Sequence, residues 1–203
     1  MSIIALLIGL ILPALGSARH NAVQMESNTR LRGIHHGCVQ YADGNGQKYP
    51  GLGHDPNLRK VSERFERLLP GDYFTAEYMV SSLEALQLSS AVVTTDNCSY
   101  AMLNIANTST NRRNEWATTG NSEGTVISDR SLKQANSGLP TTSVHVTTTT
   151  SDSTDWHGGV CWNDNHVTFE RSGILDRILY GTGKFTNDDL FEDSRDNALM
   201  AWN

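Results

Sequence analysis

The chain has 203 residues, enough for one domain with its own hydrophobic core and a short appendage. Its 16 basic and 22 acidic residues give a net charge of −6, which argues against nucleic acid as a partner because nucleic-acid binding depends on lysine and arginine side chains. Only 38% of the residues are hydrophobic, and many of these lie near the start, so the remainder has the polar composition of a small exported domain rich in turns and strands.

An apolar segment lies at the start of the chain. Between Ile3 and Leu15 only Gly9 and Pro13 interrupt a run of Ile, Leu and Ala, and the first charge is Arg19. The run is shorter than the about 20 apolar residues of a membrane-spanning helix. It also lacks the basic residues that precede a secretory signal sequence, so a cleaved signal peptide is the less favoured alternative. We predict that lipid or other copies of the chain bury a surface formed by Ile3, Ile4, Leu6, Leu7, Ile8, Leu10, Ile11, Leu12, Pro13 and Leu15.

After this run, the apolar residues are spaced so that they lie on one face of a helix. Residues that recur every three or four positions, and so share one face of a helix, are Val23, Ser27, Leu31, Ile34, Cys38 and Tyr41. We therefore predict one long helix from about Ile3 to Tyr41. Pro13 loosens its first half, and Gly33 and Gly37 allow close packing of its second half.

The chain is predicted to have two parts. Residues 1–42 form the long helix, with a membrane or filament core in its first half, and residues 43–203 form a globular α+β head. A dense cluster of turn-forming residues from Ala42 to Gly51 ends the helix. Two shorter helices are expected in the head, one from Asp55 to Leu69 and one from Thr75 to Leu88.

The second half of the head has strand character. The β-branched or aromatic runs are 91–95, 99–105, 124–129, 143–150, 158–164 and 165–171. The tail from Ile174 to Asn203 is expected to be more loop than regular structure. The predicted fold class is therefore α+β, in which a long N-terminal helix packs on a small antiparallel-sheet head with additional short helices.

Two groups of polar residues are candidates for metal binding. His157, Asp164 and His166 lie within ten residues, and imidazole and carboxylate groups bind transition metals. The interpretation we favour is that this segment forms a hairpin turn. The second group could offer oxygen ligands to calcium and consists of Asp188, Asp189, Glu192, Asp193 and Asp196. Because it lacks the spacing of a calcium hand, we favour a solvated acidic surface and predict no cofactor.

The sequence carries no recognised catalytic motif. It has no Gly-x-Ser-x-Gly elbow, phosphate-binding loop or dinucleotide fingerprint, so we do not predict an enzyme. Cys38, Cys98 and Cys161 are far apart and odd in number. Buried free thiols are favoured for them over a disulfide.

Several segments resemble one protein family. Residues 2–19, SIIALLIGLILPALGSAR, resemble the part of the prepilin-type cleavage and methylation signal that follows its conserved glutamate, with Pro13 at the place of the helix-loosening proline. Residues 27–51 resemble the continuation found in pseudopilin-like proteins of planctomycete-type bacteria. Two further blocks of those proteins resemble residues 71–82, GDYFTAEYMVSS, and residues 157–170, HGGVCWNDNHVTFE.

The resemblance implies a pilin-like fold and a structural role. The chain would be a pilin or pseudopilin of a type IV pilus or a type II secretion-like filament. Its helix would lie in the inner membrane, with the head in the periplasm, before it assembles into the core of a filament. The implied partners are other copies of the chain, related pilin-like subunits, the inner membrane and the secretion or pilus assembly machinery. Arg19 and His20 would mark the edge of the apolar zone.

Two departures from the family pattern accompany the resemblance. The processing site, a glycine followed by phenylalanine or methionine and a nearby glutamate, does not occur, and we expect roughly half a dozen to ten further residues upstream of Met1. Asn165 stands where the C-terminal signature usually has glycine. Two other functions stay open: a membrane-tethered binding or adhesion module that does not polymerise, and a metal-dependent hydrolase that uses His157 and His166.

Overall fold

The fold belongs to the α+β class, as predicted. A computed structural model describes residues 2–53, 58–84, 86, 92–94, 97–105, 110–131, 156–180, 183–185, 188–191 and 200–201. A long N-terminal helix packs through its second half on an antiparallel sheet. Short helices and small two-stranded sheets complete the head.

The first helix, α1, runs from Ser2 to Asp43 and confirms the prediction of one long helix. Its 42 residues extend over about 63 Å at 1.5 Å per residue. The helix ends where the Asn45 side-chain amide donates a hydrogen bond to the Tyr41 carbonyl at 2.7 Å. The next turn needs the left-handed backbone of Gly46, whose φ is 64°. Such bonds satisfy carbonyls that have no partner within the helix.

The second helix, α2, is shorter than predicted and spans Val61–Leu68. Asp55, at which this helix was predicted to start, lies outside the described residues. The Glu63 side chain accepts a hydrogen bond from the Lys60 N–H at 3.0 Å, which holds the first turn as in a capping box. A 3-10 turn over Leu69–Gly71 follows directly.

The predicted third helix is wrong over most of its length. Among the residues of this segment that the structure describes, only Ala76–Met79 is helical, and it is a 3-10 helix; residues 80–84 form irregular structure with turns and bends. The physical reason is competition from a neighbouring segment. The Ser99 N–H donates to the Met79 carbonyl at 2.7 Å, and the Ser81 N–H donates to the Ser99 hydroxyl at 2.8 Å. These backbone groups are therefore not available for continued helical bonding.

Five strands form the main sheet: β1 (Tyr100–Leu103), β2 (Thr125–Asp129), β3 (Gly158–Trp162), β4 (Val167–Glu170) and β9 (Met200–Ala201). Their order in the sheet is β4-β3-β2-β1-β9, and every neighbouring pair is antiparallel. The first four confirm the predicted strands at 99–105, 124–129, 158–164 and 165–171. Residues 92–94 are not in a strand, and the predicted strand at 143–150 lies outside the described residues.

The tail contains more regular structure than predicted. Besides β9 it contributes β5 (Ile174–Leu175), β6 (Ile178–Tyr180), β7 (Gly183–Phe185) and β8 (Asp188–Asp189). The pairs β5 with β8 and β6 with β7 are antiparallel. Strands of two or three residues are too short to produce a visible alternation in sequence. A third helix, α3, spans Thr110–Glu115.

The second half of α1 lies against β3, and a glycine in β3 makes this approach possible. A Cβ atom added to Gly159 would lie 2.5 Å from Cδ1 of Leu31. Beside it, a buried carboxylate joins three elements: Asp129 accepts hydrogen bonds from the Ser27 hydroxyl and from the Gly159 N–H, each at 2.7 Å. Helix and sheet are thus held together by both packing and charge-assisted hydrogen bonds.

The three cysteines are free and buried, as predicted. Burial raises the pKa of Cys38 and of Cys98 to about 12, and it raises the pKa of Cys161 as well. Their thiols therefore stay protonated near neutral pH. Because the thiolate is the reactive form, we interpret these cysteines as core residues.

Candidate functional site

The most unusual surface of the molecule is the first half of α1. Seven large apolar residues there have between 51% and 66% of their surface exposed: Ile4, Leu7, Ile8, Leu10, Ile11, Leu12 and Leu15. Leu10, Ile11 and Leu12 are consecutive, and successive helical residues are rotated by about 100°. Apolar side chains therefore point in all directions around the helix. We call the segment Ile4–Leu15 the apolar arm; the side chains of Ile3 and Leu6 lie outside the described set.

The first half of α1, which includes the apolar arm, contrasts sharply with the second half of the same helix. Every residue from 7 to 22 is exposed, whereas Ser27, Leu31, Ile34 and Cys38 have at most 2% of their surface exposed. The helix is thus anchored to the head by its second half and extends beyond the head with its first half. Leaving large apolar side chains in water costs roughly 1.5–3 kcal/mol each relative to burial.

The length and apolar character of the helices can be compared with what is needed to cross a membrane. Within the part of the chain that the structure describes, no helix is both long enough and apolar enough to cross a bilayer.

A buried polar network holds the distal end of α1 against the β3–β4 turn. The two ring nitrogens of His35 lie 3.1 Å from the Tyr49 hydroxyl and 3.1 Å from Oδ1 of Asn165. The Tyr49 hydroxyl donates to Oδ1 of Asn163 at 2.7 Å. Burial lowers the pKa of His35, and it outweighs the opposite effect of the hydrogen bonds in which the side chains of Asn165 and Asn163 accept from the ring. Burial also raises the pKa of Tyr49.

Asn165, one of the two departures from the family pattern, has a clear structural role. Its φ is 69°, in the left-handed region that glycine adopts most readily and that asparagine also tolerates. The backbone of the turn therefore accepts asparagine where the signature usually has glycine. The asparagine side chain adds the contact with His35.

The structure does not bring the three candidate metal ligands together at one site. Asp164 and His166 are in contact at the tip of the hairpin, where the His166 N–H donates to Oδ1 of Asp164 at 3.0 Å. His157 directly precedes β3, at the opposite end of the hairpin. The register places His166 beside Trp162, five residues from His157, which corresponds to about 16 Å along a strand. His157 and His166 therefore do not share a site.

The turn itself forms where the sequence indicated. The Asn165 N–H donates to the Trp162 carbonyl at 2.9 Å, and the Trp162 and His166 rings are stacked with centroids 5.5 Å apart. Burial acts to raise the pKa of Asp164, but the hydrogen bonds from His166 prevail and lower it. These contacts are those of a stable turn.

The acidic group in the tail is described only in part. Asp188 is buried, and Asp189 is half-buried and accepts a hydrogen bond from the Phe191 N–H at 2.9 Å. Asp188 therefore corrects the prediction of a wholly solvated acidic surface, because its pairing in β8 draws it into the head. Glu192, Asp193 and Asp196 lie outside the described residues. Among the residues that are described, no three His, Cys, Asp or Glu side chains are grouped to hold a metal.

A polar pocket lies between α1 and the β3–β4 hairpin, and the sequence did not indicate it. Its volume is about 540 Å³, and it is lined by His20, Asn21, Gln24, His157, Phe169 and Arg171. We call it the basic pocket. Nε2 of His20 lies 2.8 Å from Nε2 of Gln24, and the His157 ring lies 6.2 Å from the Phe169 ring. The only signal in the sequence was the spacing of four between His20 and Gln24, which puts them on one helix face.

Comparisons of the chain with protein-family models, with curated proteins and with solved structures return no match.

Proposed function

We propose that this protein is a structural subunit of a pilin- or pseudopilin-like filament. In this proposal the apolar arms of neighbouring copies pack together in the filament core, and the α+β heads face outward. The observation that carries the proposal is the exposure of the apolar arm on all its sides, on a helix whose other half is fixed to the head.

The geometry of α1 suits this role. An apolar stripe on one side would favour docking on a single partner, but an arm that is apolar all round needs neighbours on every side. The arm covers about 18 Å of helix beyond the region where α1 is packed on the head. Several such arms can therefore surround one another without collisions between heads.

Before assembly, the same surface requires another apolar environment. We propose that the arm lies in the inner membrane, with the head in the periplasm. The run from Ile3 to Leu15 covers about 20 Å, which is about two thirds of the 30 Å hydrocarbon core of a bilayer. The first charged residue, Arg19, and its neighbour His20 would then lie at the level of the lipid headgroups.

Disulfide crosslinking of the arms tests the proposal. Leu7→Cys and Ile11→Cys are made separately, because both side chains are exposed. We expect an oxidant to give dimers of each variant in membranes and in assembled material. The three native cysteines do not interfere, because they are buried. Asp176→Cys, at an exposed position in the head, is the matched control and should stay monomeric.

The opposite result would support the membrane-tethered binding module. If neither arm variant forms crosslinks, and electron microscopy shows dispersed monomers and no filaments, the chain does not polymerise and the proposed function is wrong. Crosslinks that form equally well at Asp176→Cys would indicate unspecific aggregation and would also contradict it.

A further inference from the structure

We propose that the basic pocket binds the phosphate group of an anionic phospholipid. This inference rests on the proposed function, because it requires the apolar arm to lie in a membrane before assembly. It adds a specific lipid ligand, held by residues of both α1 and the β3–β4 hairpin.

The side chains that line the pocket suit a phosphate. Arg171 offers a guanidinium, which can donate two parallel hydrogen bonds to phosphate oxygens. His20 and His157 carry ring nitrogens, and Asn21 and Gln24 carry amide groups that donate hydrogen bonds. None of the six described lining residues is acidic. This composition is notable in a chain with a net charge of −6, because the average surface would repel an anion.

The carboxylate of Glu170 lies next to Arg171 in the chain but does not neutralise the guanidinium inside the pocket. Glu170 precedes Arg171 and is the last residue of β4. Side chains alternate between the two faces of a strand, and Phe169 and Arg171 line the pocket whereas Glu170 does not.

The position of the pocket along α1 agrees with the depth of lipid phosphates. His20 follows Leu15, the last apolar residue of the arm, by five positions, or about 7.5 Å along the helix axis. The polar headgroup layer extends roughly 5–8 Å beyond the hydrocarbon core on each side of a bilayer. With Leu15 at the edge of the hydrocarbon, the pocket is thus at the level of the headgroups.

Vesicle binding of the full chain tests the inference. Co-flotation is measured with vesicles of phosphatidylcholine alone and with vesicles that also contain phosphatidylglycerol. We expect the wild-type chain to prefer the anionic vesicles. The variant Arg171→Gln should lose about tenfold or more in affinity for them and bind phosphatidylcholine as before, since a pocket contact adds hydrogen bonds to the roughly fivefold effect of one surface charge.

Arg19→Gln is the matched control. Arg19 has the same charge and lies at nearly the same depth, next to His20, but it does not line the pocket. We expect it to lose about fivefold at most, the effect of one basic residue near an anionic surface. Equal losses for Arg19→Gln and Arg171→Gln would show general surface attraction and overturn the inference. Thermal melts establish that both variants are folded, which is expected because both residues are exposed.

A titration with inorganic phosphate distinguishes a lipid headgroup from a free phosphate ion as the ligand. Inorganic phosphate is titrated into the wild-type chain by calorimetry and is also added as a competitor to the vesicles. Weak or no binding and no competition support a lipid headgroup. Tight binding of inorganic phosphate, with loss of the preference for anionic vesicles, would show that a free anion is the ligand and would overturn the proposal of a lipid.

The failure of this inference can be told apart from the failure of the proposed function. The variant Ile11→Asn should reduce binding to both kinds of vesicle, because it acts on the arm. If the wild-type chain binds neither kind and its arms do not crosslink, both proposals are wrong. If the arms crosslink and enter vesicles but Arg171→Gln behaves like Arg19→Gln, only the lipid site is wrong.

Discussion

Asp129 shows how one buried side chain can join a helix to a sheet. Its carboxylate is fully buried and accepts hydrogen bonds from Ser27 in α1 and from the backbone of Gly159 in β3. A buried carboxylate is stable only when its oxygens are bonded. The contact therefore fixes both the angle and the register of the helix on the sheet.

Replacement of Asp129 by alanine should destabilise the fold. The change leaves the Ser27 hydroxyl and the Gly159 N–H without this acceptor, and hydrogen bonds to charged groups contribute about 1.5–3 kcal/mol. We expect the free energy of unfolding, measured with urea, to fall by about 2–3 kcal/mol. Asp176→Ala, at an exposed position, should change it by less than about 0.5 kcal/mol. Equal effects of the two variants would contradict the role of Asp129.

His35 should make the stability of the fold dependent on pH. Its pKa in the folded state lies below the ordinary value of 6.5, so the unfolded chain takes up the proton first as the pH falls. Stability is therefore fully present above about pH 6.5 and decreases below it, by at most about 1.4 kcal/mol per pH unit.

The variant His35→Gln tests this dependence. It should be less stable at neutral pH, because it loses the contacts with Tyr49 and Asn165, and its stability should change less between about pH 7.5 and 5.5. Urea unfolding at several pH values measures both effects. His36→Gln, at an exposed position, should retain the wild-type slope. If the stability of His35→Gln depends on pH as steeply as that of the wild-type chain, His35 is not the source of the pH dependence.

At the scale of elements, α1 is one helix with two environments. Its glycines reflect this division. An added Cβ would meet no atom within 4 Å at Gly9 and Gly16, but at Gly37 it would lie 2.8 Å from Cδ1 of Phe74 and 3.3 Å from Cβ of Tyr73. Gly37 thus permits the close approach between helix and head that the sequence suggested.

Gly37→Ala should therefore lower the stability of the fold, whereas Gly16→Ala should not. Alanine favours a helix over glycine by about 1 kcal/mol, and at Gly16 this gain should persist as unchanged or higher stability. At Gly37 the overpacking of the core costs about 1–3 kcal/mol, and we expect a net loss of about 1 kcal/mol. Circular dichroism melts of the two variants measure the difference. A rise in stability for Gly37→Ala would show that Phe74 and Tyr73 move aside easily.

At the scale of the whole molecule, the packed core and the surface proposed for assembly are located in different parts. The core is formed by the second half of α1, by α2 and by the sheet, whereas residues 7–22 are exposed. The apolar arm therefore contributes little to the folding of the head. In the proposed function, its exposed surface instead drives association.

Deletion of residues 2–16 tests this separation. We expect the melting temperature of the head to change by no more than about 2 °C, because a loss of 1 kcal/mol shifts it by about 2–4 °C in a domain of this size. Light scattering should show that the shortened chain is a monomer under conditions in which the full chain associates. A fall of about 5 °C or more would show that the arm packs on the head.

The sequence by itself determined the features that depend on local periodicity. A period of 3.6 residues predicted the face of α1 that runs from Val23 to Tyr41, and of its six residues all but the half-buried Val23 are buried. Alternating β-branched residues predicted β1 to β4. The apolar arm was predicted from local composition, because a helix that is apolar on all sides needs an apolar environment regardless of the rest of the chain.

Only the tertiary structure decided what depends on pairing between distant segments. Hydrogen bonds between Ser99 and the segment Met79–Ser81 prevented the helix predicted after Thr75 from continuing. The short strands of the tail exist because they pair with each other and with β1. The register of β3 and β4 separated His157 from His166, and the packing of α1 on this hairpin brought His20 and His157 into the lining of one pocket. Such contacts join residues that are far apart in the chain, and no local pattern of residue types records them.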